Sequence, residues 1–593
     1  MIKLNFIQRS EFGIAGMLGA SAILTLGLPS CSSPEDSGAL PEEEKPPNII
    51  LIMADDMGFS DLGSYGGEIN TPNLDELAEN GLRYRTFYNQ ARSMPSRAAL
   101  LTGRYPHQTG LGGMEPDRGE ENPGYRGNIN HESVTLAEVL RVNGYRTYMA
   151  GKWHLTNRSS TDEPIDNKFN WPLQRGFDRF FGTIAGAGSF YGPHTLTRDN
   201  TNIDGDLEFP WAPWSIPADA KLPVRDDGEF YYTDAINEVS ARFIRDHQEQ
   251  HEEQPFFLYV SHTAPHWPLH APEEDVERYL ETYMQGWDEV RRGRYERMIE
   301  IGLIDPAWEL SARPSALPAW EDINLEEAPE IVRDALLAQN LGLREELARR
   351  MAVHAAMVDR MDRGIADIVE ALRETGRYEN TLIMFLSDNG AAAEWGTYGI
   401  GWPLLGEGAS RTGQPQSYAS IGMAWAHVSN APFRLWKLFN HEGGAATPFI
   451  AHWPAGIDAN ANGEWRDFTG HIIDVMPTIL EATESVYPRQ YGGHQIEPYE
   501  GVSFVSSFND ESMERDGYLF FEHLGRRAVR YGKWKLVTSE TGKDGRWKLY
   551  DMEADRLEST DLTDEYPELA EELAEQWQKW AERANVLPMI PDQ

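Results

Sequence analysis

Asn48-Ile-Ile-Leu-Ile-Met-Ala-Asp55-Asp56 is the stretch on which the fold turns. After Asn48 it is an unbroken β-prone apolar run, and it stops at two consecutive acids. A strand covered on both faces reads this way, because neither row of its side chains meets water. The same grammar recurs three times. Tyr145 to Met149 leads into Gly151-Lys152-Trp153-His154, Phe256 to Val260 into His262-Thr263-Ala264-Pro265-His266, and Leu382 to Leu386 into Asp388-Asn389-Gly390. Helical patterns fall between them, at Leu74 to Glu79 and Leu136 to Leu140. This alternation predicts an α/β fold, a mostly parallel sheet flanked by helices. Its strand carboxyl ends converge on a ligand site. One such polar cluster alone reads equally well as a cap or turn; four at corresponding places point to a single site.

Leu347, Met351, His354, Val358, Met361, Ile365, Ile368 and Leu372 recur at spacings of four and three, which predicts one long amphipathic helix against the sheet, with His354 as a satisfied core histidine. Past Gly456 the texture changes. Short aromatic and β-branched runs at Tyr518 to Glu522, Arg527 to Arg530, Trp534 to Val537 and Trp547 to Tyr550 predict a smaller C-terminal antiparallel sheet. Leu569, Leu573, Trp577 and Trp580 mark a closing helix. The expected division is a catalytic domain over 48–456 and a C-terminal α+β subdomain over 457–593.

With 593 residues, 18 Trp and 24 Tyr the chain can bury a large core. A net charge of −41 argues against nucleic acid or an anionic membrane surface as partner. Lys3 and Arg9 precede an uncharged run from Phe12 to Leu28, the pattern of a secretory signal over 1–31. The run ends at Leu28-Pro29-Ser30-Cys31, which resembles the lipobox of bacterial lipoproteins. Lipidation at Cys31, the sole cysteine, is expected, with an ordinary cleaved signal or a short anchor helix with an incidental Cys as the alternatives. Ser32 to Pro47 is rich in Ser, Pro and Glu and reads as a flexible linker. The expected location is therefore outside the cytoplasm, periplasmic or as an outer-membrane or cell-surface lipoprotein, with the membrane met only through that anchor.

Asp55, Asp56, Asp388 and Asn389 together offer three carboxylates and an amide oxygen, a hard donor set suited to Ca²⁺ or Mg²⁺ rather than zinc. Lys152, His154 and His266 can meet an anionic substrate and move protons.

Ser93-Met94-Pro95-Ser96-Arg97-Ala98-Ala99-Leu100-Leu101-Thr102-Gly103-Arg104 resembles the signature of formylglycine-dependent type I sulfatases, in which a Cys or Ser two residues before Pro is oxidised to an aldehyde. Ala54-Asp55-Asp56, Gly151-Lys152-Trp153-His154, Thr263-Ala264-Pro265-His266-Trp267-Pro268, Leu386-Ser387-Asp388-Asn389-Gly390 and Lys437 ahead of Glu442-Gly443-Gly444 follow in the order found in arylsulfatases. The resemblance spans Asn48 to about Leu562. It implies an alkaline-phosphatase-like fold and hydrolysis of aryl or carbohydrate sulfates to alcohol and sulfate. Formylglycine (3-oxoalanine) at Ser93 is implied as nucleophile, with a cation, usually Ca²⁺, on Asp55, Asp56, Asp388, Asn389 and residue 93. Arg97 and Lys152 would hold the hydrated aldehyde, His154 would take the proton that lets sulfate leave, and His266 with Lys437 would clamp sulfate and assist the departing alcohol. Because residue 93 is Ser, the resemblance implies an anaerobic radical S-adenosylmethionine maturase as a partner.

Two rivals remain at this stage: a sulfated-glycan-binding protein with an unmodified Ser93, and a phosphatase or phosphonate monoester hydrolase of the same superfamily. His107 and His270 are expected to be structural. His523 is a candidate substrate contact, and Trp395, Tyr398 and Trp402 in the Gly-rich stretch 390–422 are candidates to stack on a sugar or aryl ring, with packing inside the loop as the equal alternative.

Overall fold

The opening apolar run is a central strand, and all seven residues of Asn48–Ala54 are buried. The structure is a computed structural model describing residues 45–114, 116–157, 167–203, 230–328, 330–399, 411–538 and 545–590. The signal, Cys31, nearly all of the linker and Trp402 lie outside the described residues, and no described helix is long and apolar enough to cross a membrane.

In chain order the strands of the large sheet are Asn48–Ala54 (β1), Leu82–Tyr84 (β2), Arg146–Gly151 (β3), Arg179–Thr183 (β4), Leu196–Arg198 (β5), Thr201–Asn202 (β6), Phe256–Ser261 (β7), Thr381–Ser387 (β8), Phe449–His452 (β9) and Trp465–Arg466 (β10). They lie in the order β10-β2-β9-β8-β1-β7-β3-β4-β5-β6. The block β8-β1-β7-β3-β4 is parallel throughout. In its middle, Ile50 of β1 faces Leu258 on one side and Ile383 on the other. β9 enters antiparallel beside β8, and β5 and β6 form an antiparallel hairpin beyond β4. The four strands that end in polar clusters, β8, β1, β7 and β3, are therefore immediate neighbours.

Among the covering helices, Ser93–Thr102 (α1), Tyr232–His251 (α2) and Leu343–Glu374 (α3) matter most for the site. α3 carries the predicted stripe, wholly buried from Leu347 to Leu372, and packs along α2. His354 on that stripe bonds Asp61 at 2.9 Å, and Asp61 pairs with Arg294 at 2.7 Å, so this histidine is satisfied in the core. Each fully buried Leu, Ile or Met of the stripe contributes roughly 1.5–3 kcal/mol.

Past residue 456 the chain first returns to the large sheet, where Trp465 of β10 pairs with Arg83 of β2. Only then does it build the antiparallel sheet of Tyr518–His523 (β11), Arg526–Tyr531 (β12), Trp534–Thr538 (β13) and Trp547–Asp551 (β14). The closing helix Pro567–Arg583 (α4) lays Trp580 flat on Phe520, with centroids 5.1 Å apart, while the Trp577 indole donates to Phe521 O at 3.0 Å.

Candidate active site

The ten residues expected to carry the chemistry meet at the carboxyl ends of β8, β1, β7 and β3. Asp55, Asp56, Ser93, Arg97, Lys152, His154, His266, Asp388, Asn389 and Lys437 are each between 0 and 6% exposed. Register places them: Ala54 of β1 lies opposite Ser387 of β8, and Gly151 of β3 opposite Ser261 of β7. Side chains one or two residues beyond each strand therefore share one depth.

Ser93 opens α1, where unpaired backbone N–H groups and the helix dipole favour negative charge. Its Oγ accepts from Arg97 Nε at 3.0 Å, one helical turn on, and lies 3.4 Å from His154 Nδ1. Arg97 also forks onto Asp388 Oδ2 at 3.1 and 2.9 Å and donates to Ser261 Oγ at 2.5 Å. Lys152 Nζ meets Asp55 Oδ2 at 2.6 Å, and Lys437 Nζ meets Asp56 Oδ1 at 2.6 Å. Asn389 Nδ2 donates to the same Asp56 oxygen at 2.6 Å.

The backbone here is bent where side chains disfavour it. Asp56, Ala91, His154 and Leu438 have φ of 65°, 54°, 53° and 84°. Such residues cost on the order of 1–3 kcal/mol each and persist where surrounding packing over-determines them. Gly390 is required by contact, since a Cβ there would sit 2.0 Å from Gly443 O. Asp388-Asn389-Gly390 is thus a docked corner against the Lys437 segment rather than a free turn.

The donor set fits a divalent cation. Asp55 Oδ1, Asp56 Oδ2 and Asn389 Oδ1 are buried without a hydrogen-bond partner among the described residues. Ligand atoms of Asp55, Asp56 and His266 all fall within 4.8 Å of one another. Burial and the neighbouring Asp388 push the Asp55 carboxyl up to about 8 against the pull of Lys152 and Arg97. Arg97, Lys152 and Lys437 each meet one of the three carboxylates, yet the Asp55 carboxyl stays raised, and a dication at the partnerless oxygens would hold it ionised.

The two histidines are poised differently. Burial, then the charges of Lys152 and Arg97, hold His154 neutral far below its ordinary value, so a bare imidazole faces Ser93. Burial also takes His266 down to about 3 despite Asp56. His266 Nδ1 bonds the Trp267 carbonyl, which only accepts, so in the neutral ring Nε2 is left bare, 3.5 Å from Asp56 Oδ2. Lys437 goes the other way: burial opposes its charge, yet Asp56 and Glu394 raise it, and it stays an ammonium.

His107 bonds Glu522 Oε2 at 2.7 Å, and His270 donates to Ser417 O at 2.7 Å and accepts from Phe190 N at 3.3 Å; both are structural. His523 on β11 is fully buried. Arg92 is the largest charge acting on it, and Arg92 reaches Glu394 at 3.8 Å, which in turn meets Lys437 at 3.5 Å. Arg92 and Glu394 therefore stand between His523 and Lys437. Trp395 is 40% exposed and packs on Trp267 and Tyr418 with centroids 4.7 and 5.5 Å away, and Trp267 in turn lies against His266 at 4.9 Å. Tyr398 is half-buried, its carbonyl accepting from Arg350 at 2.9 Å.

Sequence reading passed over Arg92, Glu394, Ser261 and Trp267. Arg92 directly precedes the signature and Ser261 closes β7, so adjacency to quoted motifs was the available signal. Glu394 had none.

The family model described as Sulfatase matches residues 47–485. The chain belongs to the sulfatase family. It is a sulfuric ester hydrolase, and the phosphorus-ester reading is set aside. An uncharacterised sulfatase of Schizosaccharomyces pombe is 30% identical over 93% of this chain and 96% of its own length. An arylsulfatase of Klebsiella aerogenes is 33% identical over 75% of this chain and 88% of its own. A crystal structure of Ps i-CgsB in complex with k-i-k-neocarrahexaose covers 93% of this sulfatase and 95% of its own chain at a TM-score of 0.60, with 23% identity. The structure of BT4656 with D-glucosamine-2-N,6-O-disulfate covers 93% and 100% at 0.57, with 19% identity. At those identities the structural likeness speaks for the fold, an alkaline-phosphatase-like α/β sheet with a small antiparallel sheet at its C-terminal end.

Proposed function

We propose that this sulfatase removes sulfate from glycans outside the cytoplasm, with formylglycine made from Ser93 and Ca²⁺, or Mg²⁺, on Asp55, Asp56, Asp388, Asn389 and residue 93. The observation that carries the reading is Ser93 at the head of α1, within reach of Arg97 and His154 and beside buried oxygens that lack partners. Glycan rather than small aryl substrates is favoured by the Trp267, Trp395 and Tyr418 surface next to His266, and by the sugar ligands of the two solved structures. Export by the expected signal, anchoring at Cys31 and oxidation of Ser93 by a radical S-adenosylmethionine maturase belong to the same proposal.

When bound, the cation supplies positive charge to sulfate oxygens; the hydrated aldehyde supplies a nucleophilic oxygen and a route for releasing sulfate by C–O cleavage instead of a second displacement at sulfur. Arg97 fixes the oxygen of residue 93 while tied to Asp388, so the nucleophile's position is set by a rigid fork. His154 accepts a proton at Nδ1. Lys152 and Lys437 bring two ammonium groups to an otherwise acidic floor. Lys437 is the charged donor beside the leaving alcohol, and His266, proton on Nδ1, supports sulfate or cation through Nε2.

Mass spectrometry of the peptide spanning Ser93, on protein made with a radical maturase, tests the nucleophile: a loss of about two mass units together with sulfate release is the expected result. Unmodified Ser93 in active protein would overturn it. Lys437→Ala should lower kcat on the order of 10²- to 10³-fold, as loss of one transition-state donor does, with sulfate inhibition also weakened. Trp395→Ala should raise KM for a sulfated oligosaccharide on the order of tenfold at nearly constant kcat, the size of one lost ring stack. A fall in kcat alone would move Trp395 from substrate binding to loop packing.

A further inference from the structure

A second cleft, of about 530 Å³, opens where the β2 and β10 edge of the large sheet faces β11 and β12. That volume suits a small polar ligand. None of the residues placed in the active site lines it.

Five cations face this cleft: Arg85, Arg515, Arg530, Lys533 and Arg556. Four have an acid. Arg85 pairs with Asp467 at 3.1 Å, Lys533 with Asp551 at 2.6 Å, Arg556 with Glu442 at 2.8 Å, and Arg515 with Asp474. Arg530 pairs with none among the described residues. It is 7% exposed; Nη1 donates to the Tyr88 hydroxyl, Nε donates to Gly532 O at 3.4 Å, and Nη2 donates to nothing among the described residues. Its guanidinium lies 5.3 Å from the Tyr88 ring centroid, which fixes its plane. Arg515 is similarly packed on Phe468 at 5.6 Å. Burial, and repulsion from Arg530, bring Arg515 down to about 10 although Tyr105 opposes this, so the two guanidinium groups feel each other.

Arg530 reaches Glu442 only through space and through the Tyr88 hydroxyl; a buried guanidinium without a carboxylate in direct contact is costly, and this chain carries 94 acidic residues from which one could come. The acids at the mouth, Asp467, Glu511, Glu514 and Glu553, are exposed, where solvent screens them. We propose that the cleft binds a tetrahedral oxyanion at Arg530, with Arg515 beside it, and that its source is a sulfate group of a polysulfated glycan. The glycan source rests on the substrate class proposed above; the oxyanion does not. A polymer held there by one sulfate would present others to the distant Ser93.

The test uses the full chain carrying Ser93→Ala and Lys437→Ala, so that the catalytic site does not dominate binding, titrated calorimetrically with a sulfated hexasaccharide and with inorganic sulfate. Adding Arg530→Met should weaken the hexasaccharide about tenfold or more, and Arg530→Lys less. Weakening of hexasaccharide alone or of both probes supports the site; weakening of inorganic sulfate alone keeps the oxyanion and overturns the glycan source. Unchanged affinity for both overturns the proposal. Should Arg530→Met fail to fold, hydrogen exchange on the chain with Arg530 intact decides: hexasaccharide must protect 511–533, and no protection rejects the site. In the otherwise unaltered enzyme, Arg530→Met should leave aryl sulfate turnover within about twofold, so loss of this site is distinguishable from loss of the sulfatase reading.

Discussion

Ser93→Ala is expected to fold and to lose sulfate release by on the order of 10⁴-fold or more, the scale seen when a nucleophile is removed. The fold should survive because the hydroxyl bonds only within the site, to Arg97, His154 and Asp388, and Arg97 keeps its fork on Asp388 and its bond to Ser261. The variant also separates chemistry from binding. The sulfate contacts proposed for Lys437 and His266 are untouched by this change, so a sulfated substrate should still bind with little change in affinity while turnover disappears. Comparable loss of binding and turnover would mean that residue 93 holds the substrate rather than attacking it.

Glu442→Ala should be the most destabilising single change outside the hydrophobic core, by about 3–5 kcal/mol in urea unfolding, because it strands buried cations. Glu442 opens a short turn of helix after the Lys437 segment. It accepts from Tyr88 at 2.8 Å and Lys535 at 2.7 Å on one oxygen and from Arg556 at 2.8 Å on the other, while its backbone N donates to Glu558 at 3.0 Å. Lys535 and Arg556 belong to the C-terminal region, so one carboxylate ties that region to the loop bearing Lys437. Burial would raise Glu442, but Lys535, Arg556 and Arg530 outweigh it and take it down to about 2 from the ordinary 4.5. A carboxyl depressed in the folded state contributes stability that is complete above 4.5 and is lost as pH falls towards 2. Glu558 shifts upward, foremost through burial, so its own contribution changes above pH 4.5 and leaves the lower window to Glu442. The native chain should therefore lose more stability between pH 4.5 and 2 than Glu442→Gln does, and parallel acid curves would show that the cluster does not anchor the subdomains.

The central sheet was legible because β1, β3, β7 and β8 are buried on both faces and so write continuous apolar runs. Phe449–His452 was missed: four residues, one a histidine, carry too little periodicity, and their antiparallel direction follows from how the chain returns after the Lys437 segment. The hairpin β5-β6 likewise has five residues in all. At the site, residues attached to strand ends could be read from position. Glu394 could not, since its role comes from a loop folding back over Lys437, and no spacing encodes that. The contacts of His266 and Lys437 were out of reach of the sequence as well: that one ring nitrogen faces the Trp267 carbonyl and the ammonium faces Asp56 are facts of three dimensions.

Among the described residues the large sheet ends at β10 on one side and β6 on the other, each two residues long. An exposed edge is a row of unmet N–H and C=O groups on which another chain can add a strand, and length is what makes such an addition stable. Two-residue borders leave almost nothing to template. A wide, apolar, mostly parallel sheet of the kind most prone to stick to its own copies is thereby hemmed at both margins, and the chains can accumulate to high concentration without zipping together edge to edge.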